Sequence, residues 1–349
     1  MATATGIVTL FGGSGFVGRY VAQRMARAGW RVRVACRRPN EAHFVRPYGV
    51  VGQVEPILAN IRDDASTRQV IQGADAVVNC VGILVESGRQ RFDAIHADAA
   101  GRVADAAAME GVRTLVHLSA LGSDPDSPSL YGRTKAEGER RVLAAFPDAV
   151  ILRPSIIFGP EDQFFNRFAR MARFSPVLPL VGRRTRFQPV YVDDVAAAVE
   201  AVICGRRGHV SKPGPAETGD GEPQPARVYE LGGPEVESFS VLMGRMLQAI
   251  RRRRLRVSLP FAVAGFGARM LDIAQLLSGG LFVNHILTED QVRQLRRDSV
   301  VRDGALTLEH LGITPTAMDS VLDEYLYCHR PHGQFTLLTE SAKNLDAER

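Results

Sequence analysis

Cysteine is scarce in this sequence, and long apolar runs are absent from it. The four cysteines among 349 residues lie far apart and form neither a CxxC pair nor a cluster with histidine. We therefore expect no metal site and no disulfide framework, and this usage is typical of a reducing compartment. No run of eighteen or more apolar residues occurs, so no segment is predicted to span a membrane.

A strong charge of one sign is also missing. The 43 lysines and arginines barely outnumber the 38 acidic residues, and so small an excess does not favour nucleic acid as a partner. A signal peptide is not predicted, because the first apolar strand begins near Ile7 and leaves no room for one. A chain of 349 residues, 45% of them hydrophobic, predicts one large α/β domain with an appended part.

What the sequence does have, close to its start, is a glycine turn between a strand and a helix. An apolar run at 7–11 predicts a buried strand, and helical spacing follows the glycines. Gly12 would make the tight turn, Gly15 would let the backbone approach a pyrophosphate, and Gly18 would let the helix lie close to the sheet. The alternative is a turn that merely needs positive φ. The cofactor contacts predicted here are Gly12, Ser14, Gly15, Phe16, Val17 and Gly18.

Two arginines follow the second predicted strand, at 31–36. A fold selective for NAD would place Asp or Glu there to hold the ribose hydroxyls. Arg37 and Arg38 stand there instead, and paired guanidinium groups bind a 2′-phosphate with charge-assisted hydrogen bonds. The sequence therefore favours NADPH over NADH, the alternative being two solvated arginines.

Strands alternate with helices as far as residue 154, which predicts a doubly wound parallel sheet of the Rossmann type with a smaller, α-rich C-terminal lobe. Later helices are predicted at 92–110, 129–145, 163–173, 192–204, 239–250, 284–297 and 317–328. Further cofactor contacts are expected where successive strands end. They are Asn60, Ile61, Val81, Gly82, Ser119 and Pro154.

The helix predicted at 129–145 carries Tyr131 and Lys135, which lie on one face because they are four residues apart. In hydride-transfer chemistry an ammonium beside a phenol lowers the pKa of the phenol and grips the nicotinamide ribose. The phenol then serves as a general acid or base. The alternative is two exposed side chains, since YxxxK is common by chance.

These motifs resemble the extended and atypical branch of the short-chain dehydrogenase/reductase family. The segments that carry the resemblance are Gly12–Gly18, Tyr131 with Lys135, Ile151–Pro160 and Gln188–Ala196, in that order. The resemblance covers about residues 5–250. It implies a nicotinamide cofactor, with Tyr131 and Lys135 as catalytic residues.

One departure from the family places turnover in doubt. Family enzymes carry a catalytic Ser or Thr just past the fifth strand, but this chain has Ala120 and Leu121 at the usual places. Ser119 closes the strand, and Ser123 would have to fold back to replace the missing hydroxyl. His96, where many extended members carry Asn, is expected to be a structural or surface residue and not a catalyst. Tyr131 and Lys135 would then be vestigial and hold NADPH without turning it over.

The predicted domain organisation divides the chain into four parts. Residues 1–160 form the NADPH-binding domain, to which segments at about 185–205 and 226–232 return. Residues 161–184 and 233–330 form the C-terminal lobe, for contact with a partner, membrane or substrate. A flexible insertion rich in proline and glycine is expected at 206–226, and a tail at 331–349.

A run of arginines at 251–256 precedes a mostly apolar segment that ends at Leu277. Its polar side chains Arg269, Asp272 and Gln275 recur every three residues. This pattern suits docking of Arg251–Leu277 to an anionic bilayer surface or a membrane-embedded partner. The alternative is a helix packed in the lobe beside a solvated arginine patch.

Within its family the chain resembles the NADPH-binding accessory subunits of respiratory complex I. The absent hydroxyl, Arg37 with Arg38, and the segment 287–301 carry this narrower resemblance. It implies other complex I subunits as partners and a peripheral position near the quinone site. We expect the cytoplasmic face of a bacterial inner membrane, or the matrix side in a mitochondrion. The alternatives are an active NADPH-dependent reductase or epimerase acting on a quinone, isoprenoid or nucleotide-sugar, and a redox-sensing regulator.

Overall fold

Thirteen strands and ten α-helices make up the described part of the protein. The computed structural model describes residues 5–205, 227–278, 283–284 and 287–335. The strands are β1 (Ile7–Phe11), β2 (Arg31–Cys36), β3 (Val54–Leu58), β4 (Ala76–Asn79), β5 (Thr114–Leu118), β6 (Val150–Pro154), β7 (Ile157–Phe158), β8 (Val177–Val181), β9 (Arg186–Phe187), β10 (Val190–Tyr191), β11 (Val228–Leu231), β12 (Glu237–Ser238) and β13 (Leu255–Leu259). The helices are α1 (Phe16–Arg27), α2 (Asp64–Ile71), α3 (Ala99–Met109), α4 (Leu130–Ala145), α5 (Phe165–Phe174), α6 (Val192–Gly205), α7 (Phe239–Ala249), α8 (Phe261–Leu277), α9 (Glu289–Gln294) and α10 (Asp319–Leu326).

The central sheet has seven strands in the order β11-β6-β5-β4-β1-β2-β3, and every neighbouring pair is parallel. The direction in which strands are added reverses between β1 and β4. In a sheet of this kind, the ligand crevice opens at the carboxyl ends of the strands at that switch point. The predicted doubly wound, Rossmann-type parallel sheet is confirmed.

Helices cover both faces of the sheet, which is why β4 and β5 are buried along their whole length. On one face Val21 of α1 and Val199 of α6 join the core, and on the other Val70 of α2 and Val103 of α3 do so. Short two-stranded pairings (β7 with β10, β9 with β12, β8 with β13) continue beyond the main sheet. The site residues are thus carried by the rigid part of the fold.

A separate apolar cluster forms the core of the C-terminal lobe. Phe165 of α5, Leu242 of α7 and Leu322 of α10 are buried in it. A fourth, small cluster lies under α8, where Ala264 and Ala268 are the buried residues of that helix. The lobe therefore has its own core, and the fully buried residues by which α8 packs there are small alanines.

Two predicted helices differ from the observed ones. The segment predicted as one helix at 92–110 opens with a π-helical turn at Asp93–Asp98 before α3 begins. The helix predicted at 284–297 is shorter, because Thr288 caps α9 and forms a reciprocal capping box with Gln291. A capping box fixes where a helix starts, so residues 287–288 stay outside α9.

The arginine run does not lead directly into a helix. Residues 255–259 form β13, which pairs in parallel with β8 at 177–181, and neither strand was predicted. Leu255, Val257 and Leu259 alternate with polar residues, which is the period of a strand.

No helix within the described ranges combines the length and hydropathy needed to cross a bilayer. The predicted insertion at 206–226 lies outside the described residues, as does the predicted tail at 331–349 from residue 336 onward.

Candidate cofactor site

Gly12, Gly15 and Gly18, where β1 turns into α1, form a hollow that we call the glycine cradle. Side chains at these three positions would fill it. Gly12 has a φ of +76°, and the N–H of Gly15 donates to its carbonyl at 2.9 Å. A Cβ on Gly18 would lie 2.2 Å from the Gly12 oxygen, so only glycine allows this approach of helix and turn. No side chain of the described residues caps α1 at Gly15. The N–H groups of the first turn of α1 are thus left for an anion, which fits the pyrophosphate of a dinucleotide.

The carboxyl ends of β4 and β5 border this cradle. A Cβ on Gly12 would meet the Val81 side chain at 3.2 Å, and one on Gly82 would meet Lys135 Nζ at 3.5 Å. Lys135 in turn donates to the carbonyl of Leu118, the residue before Ser119, at 3.1 Å. The structure therefore brings the glycine turn, Val81, Gly82 and Lys135 together at the switch point of the sheet.

Asn60, Ile61 and Pro154 lie at the same sheet edge but farther along it. Asn60 Oδ1 accepts the N–H of Arg62 at 3.2 Å, which closes a turn after β3. The Pro154 carbonyl accepts the N–H of Leu121 at 3.0 Å. Among the described residues no hydrogen bond joins Asn60, Ile61 or Pro154 to the glycine turn, so their cofactor contacts stay a prediction.

Arg37 and Arg38 are exposed where β2 ends. Arg38 pairs with Glu41 at 3.1 Å on the open surface, and an ion pair of this kind contributes little to stability. Neither guanidinium forms a hydrogen bond or an ion pair with a buried group within the described residues. Their contact with a 2′-phosphate stays a prediction.

Tyr131 and Lys135 share one face of α4, but their ionisation differs from the sequence-based expectation. Burial lowers the pKa of Lys135 to about 8, partly opposed by the charge of Glu139. Burial, and then the charge of Asp290, raise the pKa of Tyr131 to about 12. The expected lowering of the phenol pKa does not occur, because burial and then the negative charge of Asp290 raise that pKa.

His96 and Phe92 hold the ring of Tyr131. His96 stacks on Phe92 at 5.2 Å between centroids and meets Tyr131 edge-on at 5.1 Å. Its Nε2 accepts the N–H of Ile83 at 3.1 Å. Burial, Lys135 and His117 lower the pKa of His96 to about 2, so the imidazole is neutral. Sequence reasoning did not find Phe92, since a lone aromatic residue carries no motif.

Ser123 folds back toward the sheet, yet it does not supply the missing hydroxyl to the phenol. Its Oγ lies 2.9 Å from the Ser119 Oγ and donates to the Ala120 carbonyl at 2.8 Å. No hydrogen bond joins either serine to Tyr131 within the described residues. The two hydroxyls are therefore satisfied by each other and by the backbone.

Asp290 is the main contributor that sequence reasoning missed. It comes from α9 in the C-terminal lobe, and it accepts hydrogen bonds from Ser129 Oγ (2.7 Å) and the Leu130 N–H (2.6 Å) at the start of α4. The pattern Thr288-x-x-Gln291 signals the start of a helix. It does not reveal which distant helix the neighbouring carboxylate will face.

Comparison with known proteins agrees with this architecture. A model of the NAD dependent epimerase/dehydratase family matches residues 8–210, more than half of the chain. The mitochondrial NADH dehydrogenase (ubiquinone) 1 alpha subcomplex subunit 9 of Arabidopsis thaliana is 34% identical over 337 residues, covering 95% of this chain and 80% of that protein. A ceramide reductase of Caulobacter vibrioides is 33% identical over 202 residues, which is 58% of this chain and 62% of that protein.

A solved structure has the same fold. The NADPH-dependent quinone oxidoreductase of Escherichia coli, solved with NADPH, superposes with a TM-score of 0.63 at 17% identity, covering 91% of this chain and 98% of that one. At this identity the likeness concerns the fold alone. Together with the family match and the parallel sheet with its glycine cradle, it leads to one conclusion: the chain belongs to the NAD dependent epimerase/dehydratase family, and within it resembles the alpha subcomplex subunit 9 of respiratory complex I.

Proposed function

We propose that the protein is an accessory subunit of respiratory complex I that holds NADPH as a structural cofactor and does not turn it over. The resemblance to the Arabidopsis subunit extends over 95% of the chain, both the sheet and the lobe. NADPH would lie in the cradle of Gly12, Gly15 and Gly18, with Arg37 and Arg38 on its 2′-phosphate. A cofactor bound to the folded state alone stabilises that state by mass action.

The observation that carries the proposal is the environment of Tyr131. A general acid or base works best with a pKa near the operating pH, whereas the pKa of Tyr131 is raised to about 12. The hydroxyls of Ser119 and Ser123 are bonded to each other, and Asp290 of the C-terminal lobe occupies the start of α4. These features favour retention of the cofactor over hydride transfer to a substrate.

The peripheral membrane position in this proposal is supported by α8, whose polarity is inverted. Two of its polar residues contact the protein, whereas Arg269 is exposed. Asp272 accepts from Asn284 Nδ2 at 2.7 Å, and Gln275 Nε2 donates to the Glu86 carbonyl at 3.0 Å. Its large apolar residues face outward, with Phe266 and Leu276 exposed to 70% and 79%. Outward-facing apolar residues of this size mark an interaction surface.

We infer that the occupant of this surface is an anionic bilayer surface. Val263, Met270, Ile273 and Leu277 extend the exposed apolar face, and the arginines at 251–256 precede it by a few residues. An apolar helix face next to clustered arginines matches the acyl region and the negative headgroups of a bilayer. The protein would thus lie on the cytoplasmic face of a bacterial inner membrane, or on the matrix side in a mitochondrion, near the quinone site.

Native mass spectrometry of the endogenous protein tests the proposal, because it reports cofactor and partners together. We expect NADPH at one per chain and complex I subunits in the same assembly. Recovery of the protein solely as a free species without nucleotide would overturn it.

Membrane attachment is tested separately with the purified NADPH-bound protein. Phe266→Asp combined with Leu276→Asp should abolish sedimentation with anionic vesicles. Val51→Asp, which changes an exposed valine of a distant loop, is the matched control and should sediment like the wild type. Equal sedimentation of the double variant and the control would contradict the proposal that α8 attaches the protein to the membrane.

The second candidate function is an active NADPH-dependent reductase or epimerase acting on a quinone, isoprenoid or nucleotide-sugar. It is favoured by the intact pair of Tyr131 and Lys135 and by the 33% identity to a ceramide reductase. Oxidation of bound NADPH by an added carbonyl substrate, abolished by Tyr131→Phe, would establish this function in place of the structural one.

A further inference from the structure

An open cavity of about 630 Å³ lies beside the end of α7, and arginines form most of its wall. We call it the arginine cavity. Its lining residues are Gly244, Leu247, Gln248, Arg251, Arg252, Arg253, Arg254 and Arg256. Five arginines around one opening concentrate positive charge, which attracts an anion.

The backbone brings the arginines back against the helix that precedes them. Arg251 has a φ of +52°, the left-handed conformation, and is the one non-glycine residue with positive φ among those described. The N–H groups of Arg251 and Arg252 donate to the carbonyls of Gln248 and Leu247, both at 3.0 Å. Glycine is usual at this place after a helix, since left-handed backbone costs other residues about 1 kcal/mol.

Neutral carbonyls hold three of the guanidinium groups in place. Arg252 Nε donates to His329 at 2.9 Å, and Arg254 Nε donates to Ala172 at 2.8 Å. Arg256 Nη1 donates to the Ser240 carbonyl at 2.7 Å. A guanidinium carries five N–H donors, so each of these side chains is anchored and retains further donors.

Four of the five arginines have no carboxylate partner among the described residues. Within the described ranges Arg252, Arg253, Arg254 and Arg256 form no ion pair. By contrast, Arg245, which lies earlier on α7, pairs with Glu237 at 3.2 Å.

Arg252 is repelled by the positive charges of neighbouring arginines. Burial lowers the pKa of Arg252, and the charges of Arg254 and Arg173 lower it further. An anion in the cavity would relieve this repulsion.

We propose that the arginine cavity is a binding site for phosphate groups, supplied by the headgroup of an anionic phospholipid or by a soluble polyphosphate. Phosphate accepts paired hydrogen bonds from the planar guanidinium fork, and several arginines favour more than one phosphate. The headgroup is the favoured source. That choice rests on the membrane attachment proposed above, because β13 leads from the cavity directly into the exposed face of α8.

The test uses the full chain saturated with NADPH, so that the glycine cradle is already occupied. Arg252→Gln with Arg254→Gln removes two anchored charges. Arg31→Gln with Arg113→Gln removes two exposed charges elsewhere and serves as the control. Arg253→Gln, which removes a cavity charge without a side-chain anchor among the described residues, serves if the double variant does not fold.

Two measurements separate the sources of phosphate. The first is the melting temperature of the protein in inorganic pyrophosphate, compared with its melting temperature in sodium chloride at equal ionic strength. The second is sedimentation with phosphatidylcholine vesicles, with and without diphosphatidylglycerol. We expect the cavity variant to lose on the order of twentyfold in partition to the anionic vesicles, since each arginine near such a surface contributes about fivefold.

The outcomes distinguish this inference from the proposed function. Loss of vesicle binding in the cavity variant alone supports a headgroup site. A second outcome is that pyrophosphate raises the melting temperature of the wild type but not of the cavity variant, while no form binds vesicles. That result supports a site for soluble polyphosphate and overturns membrane attachment. Equal vesicle binding by all forms, without a pyrophosphate shift, overturns the site and leaves attachment through α8 intact. If no form binds vesicles and pyrophosphate does not change the melting temperature, both the phosphate site and the membrane attachment are overturned.

Discussion

Asp290 Oδ2 accepts the backbone N–H of Tyr131 at 3.3 Å, so a carboxylate from the C-terminal lobe holds the first turn of the helix that carries the Tyr131–Lys135 pair. Gln294 Nε2, also from α9, donates to the same carboxylate at 3.1 Å. The negative charge lies at the positive end of the α4 dipole, where it is stabilising. Asp290 thus links α9 of the C-terminal lobe to the start of α4.

Asp290→Asn should lower the free energy of unfolding by about 1–2 kcal/mol, because it removes charge-assisted bonds at a helix N-terminus. It should also bring the pKa of Tyr131 below about 12, since the charge of Asp290 contributes to that rise. Urea unfolding and ultraviolet titration of tyrosine measure the two effects. Glu289→Gln alters a surface pair with Arg293 and is the control. Equal results for the two variants would refute the cap.

Gly18→Ala should abolish NADPH binding and destabilise the fold by about 1–3 kcal/mol, as overpacking does. The new Cβ would lie 2.2 Å from the Gly12 oxygen and 2.6 Å from the Gly13 Cα, both backbone atoms that cannot move aside cheaply. Gly265→Ala is the control. It has open space around the new methyl and should stabilise α8 by about 0.5–1 kcal/mol. Titration followed by nicotinamide fluorescence, together with urea unfolding, checks both.

If Gly18→Ala does not fold, Gly15→Ala gives a milder test. Its Cβ would lie 3.1 Å from the Gly12 oxygen. Wild-type affinity for NADPH in both variants would exclude the cradle as the cofactor site.

Replacing Arg37 and Arg38 by Ser should reduce the preference for NADPH over NADH on the order of tenfold to a hundredfold. The reason is that hydrogen bonds between charged groups contribute about 1.5–3 kcal/mol. The affinity for NADH should change little. Arg31→Ser, at the opposite end of β2, is the control, and calorimetric titration with each nucleotide gives the ratio. An unchanged ratio in the double variant would assign the selectivity elsewhere.

The sequence was sufficient to predict the sheet because each of its signals is local. A β-branched run, a glycine turn and a helical period occupy neighbouring residues, as at Ile7–Phe11 and Gly12–Gly18, and local patterns survive without knowledge of the fold. The pairing of β8 with β13 was missed because it joins segments far apart in the chain.

The candidate site, like the fold, was predictable where its residues are close in sequence and not where they are distant. The spacing of Tyr131 and Lys135 places them on one face of any helix. By contrast, the stack of Phe92 on His96 and the cap by Asp290 depend on how distant elements pack. For α8 the sequence left open whether the apolar face meets a membrane or the core of the lobe, because a polar stripe at helical spacing does not state which side meets solvent. The hydrogen bonds of Asp272 and Gln275 to other parts of the protein show that these two residues of the stripe lie inward and the apolar face outward.

Two buried, neutral histidines should make the protein sensitive to acid. The pKa of His96 is lowered to about 2 and that of His117 to about 3, in both cases chiefly by burial. The unfolded chain has the ordinary value of about 6.5 and so binds more protons below that pH. Stability should therefore fall as pH decreases from about 6.5 to 3, by up to about 1.4 kcal/mol per pH unit for each histidine.

His96→Asn should remove one of these two contributions. Asparagine offers an acceptor for the Ile83 N–H that His96 Nε2 now accepts, and it does not titrate. The slope of unfolding free energy against pH, measured by urea unfolding between pH 6 and 4, should then decrease by about 1.4 kcal/mol per pH unit. His43→Asn, which removes an exposed imidazole, controls for the substitution itself. A slope identical to that of the wild type would show that His96 is protonated in the folded protein, and with it that the wall beside Tyr131 is open to water.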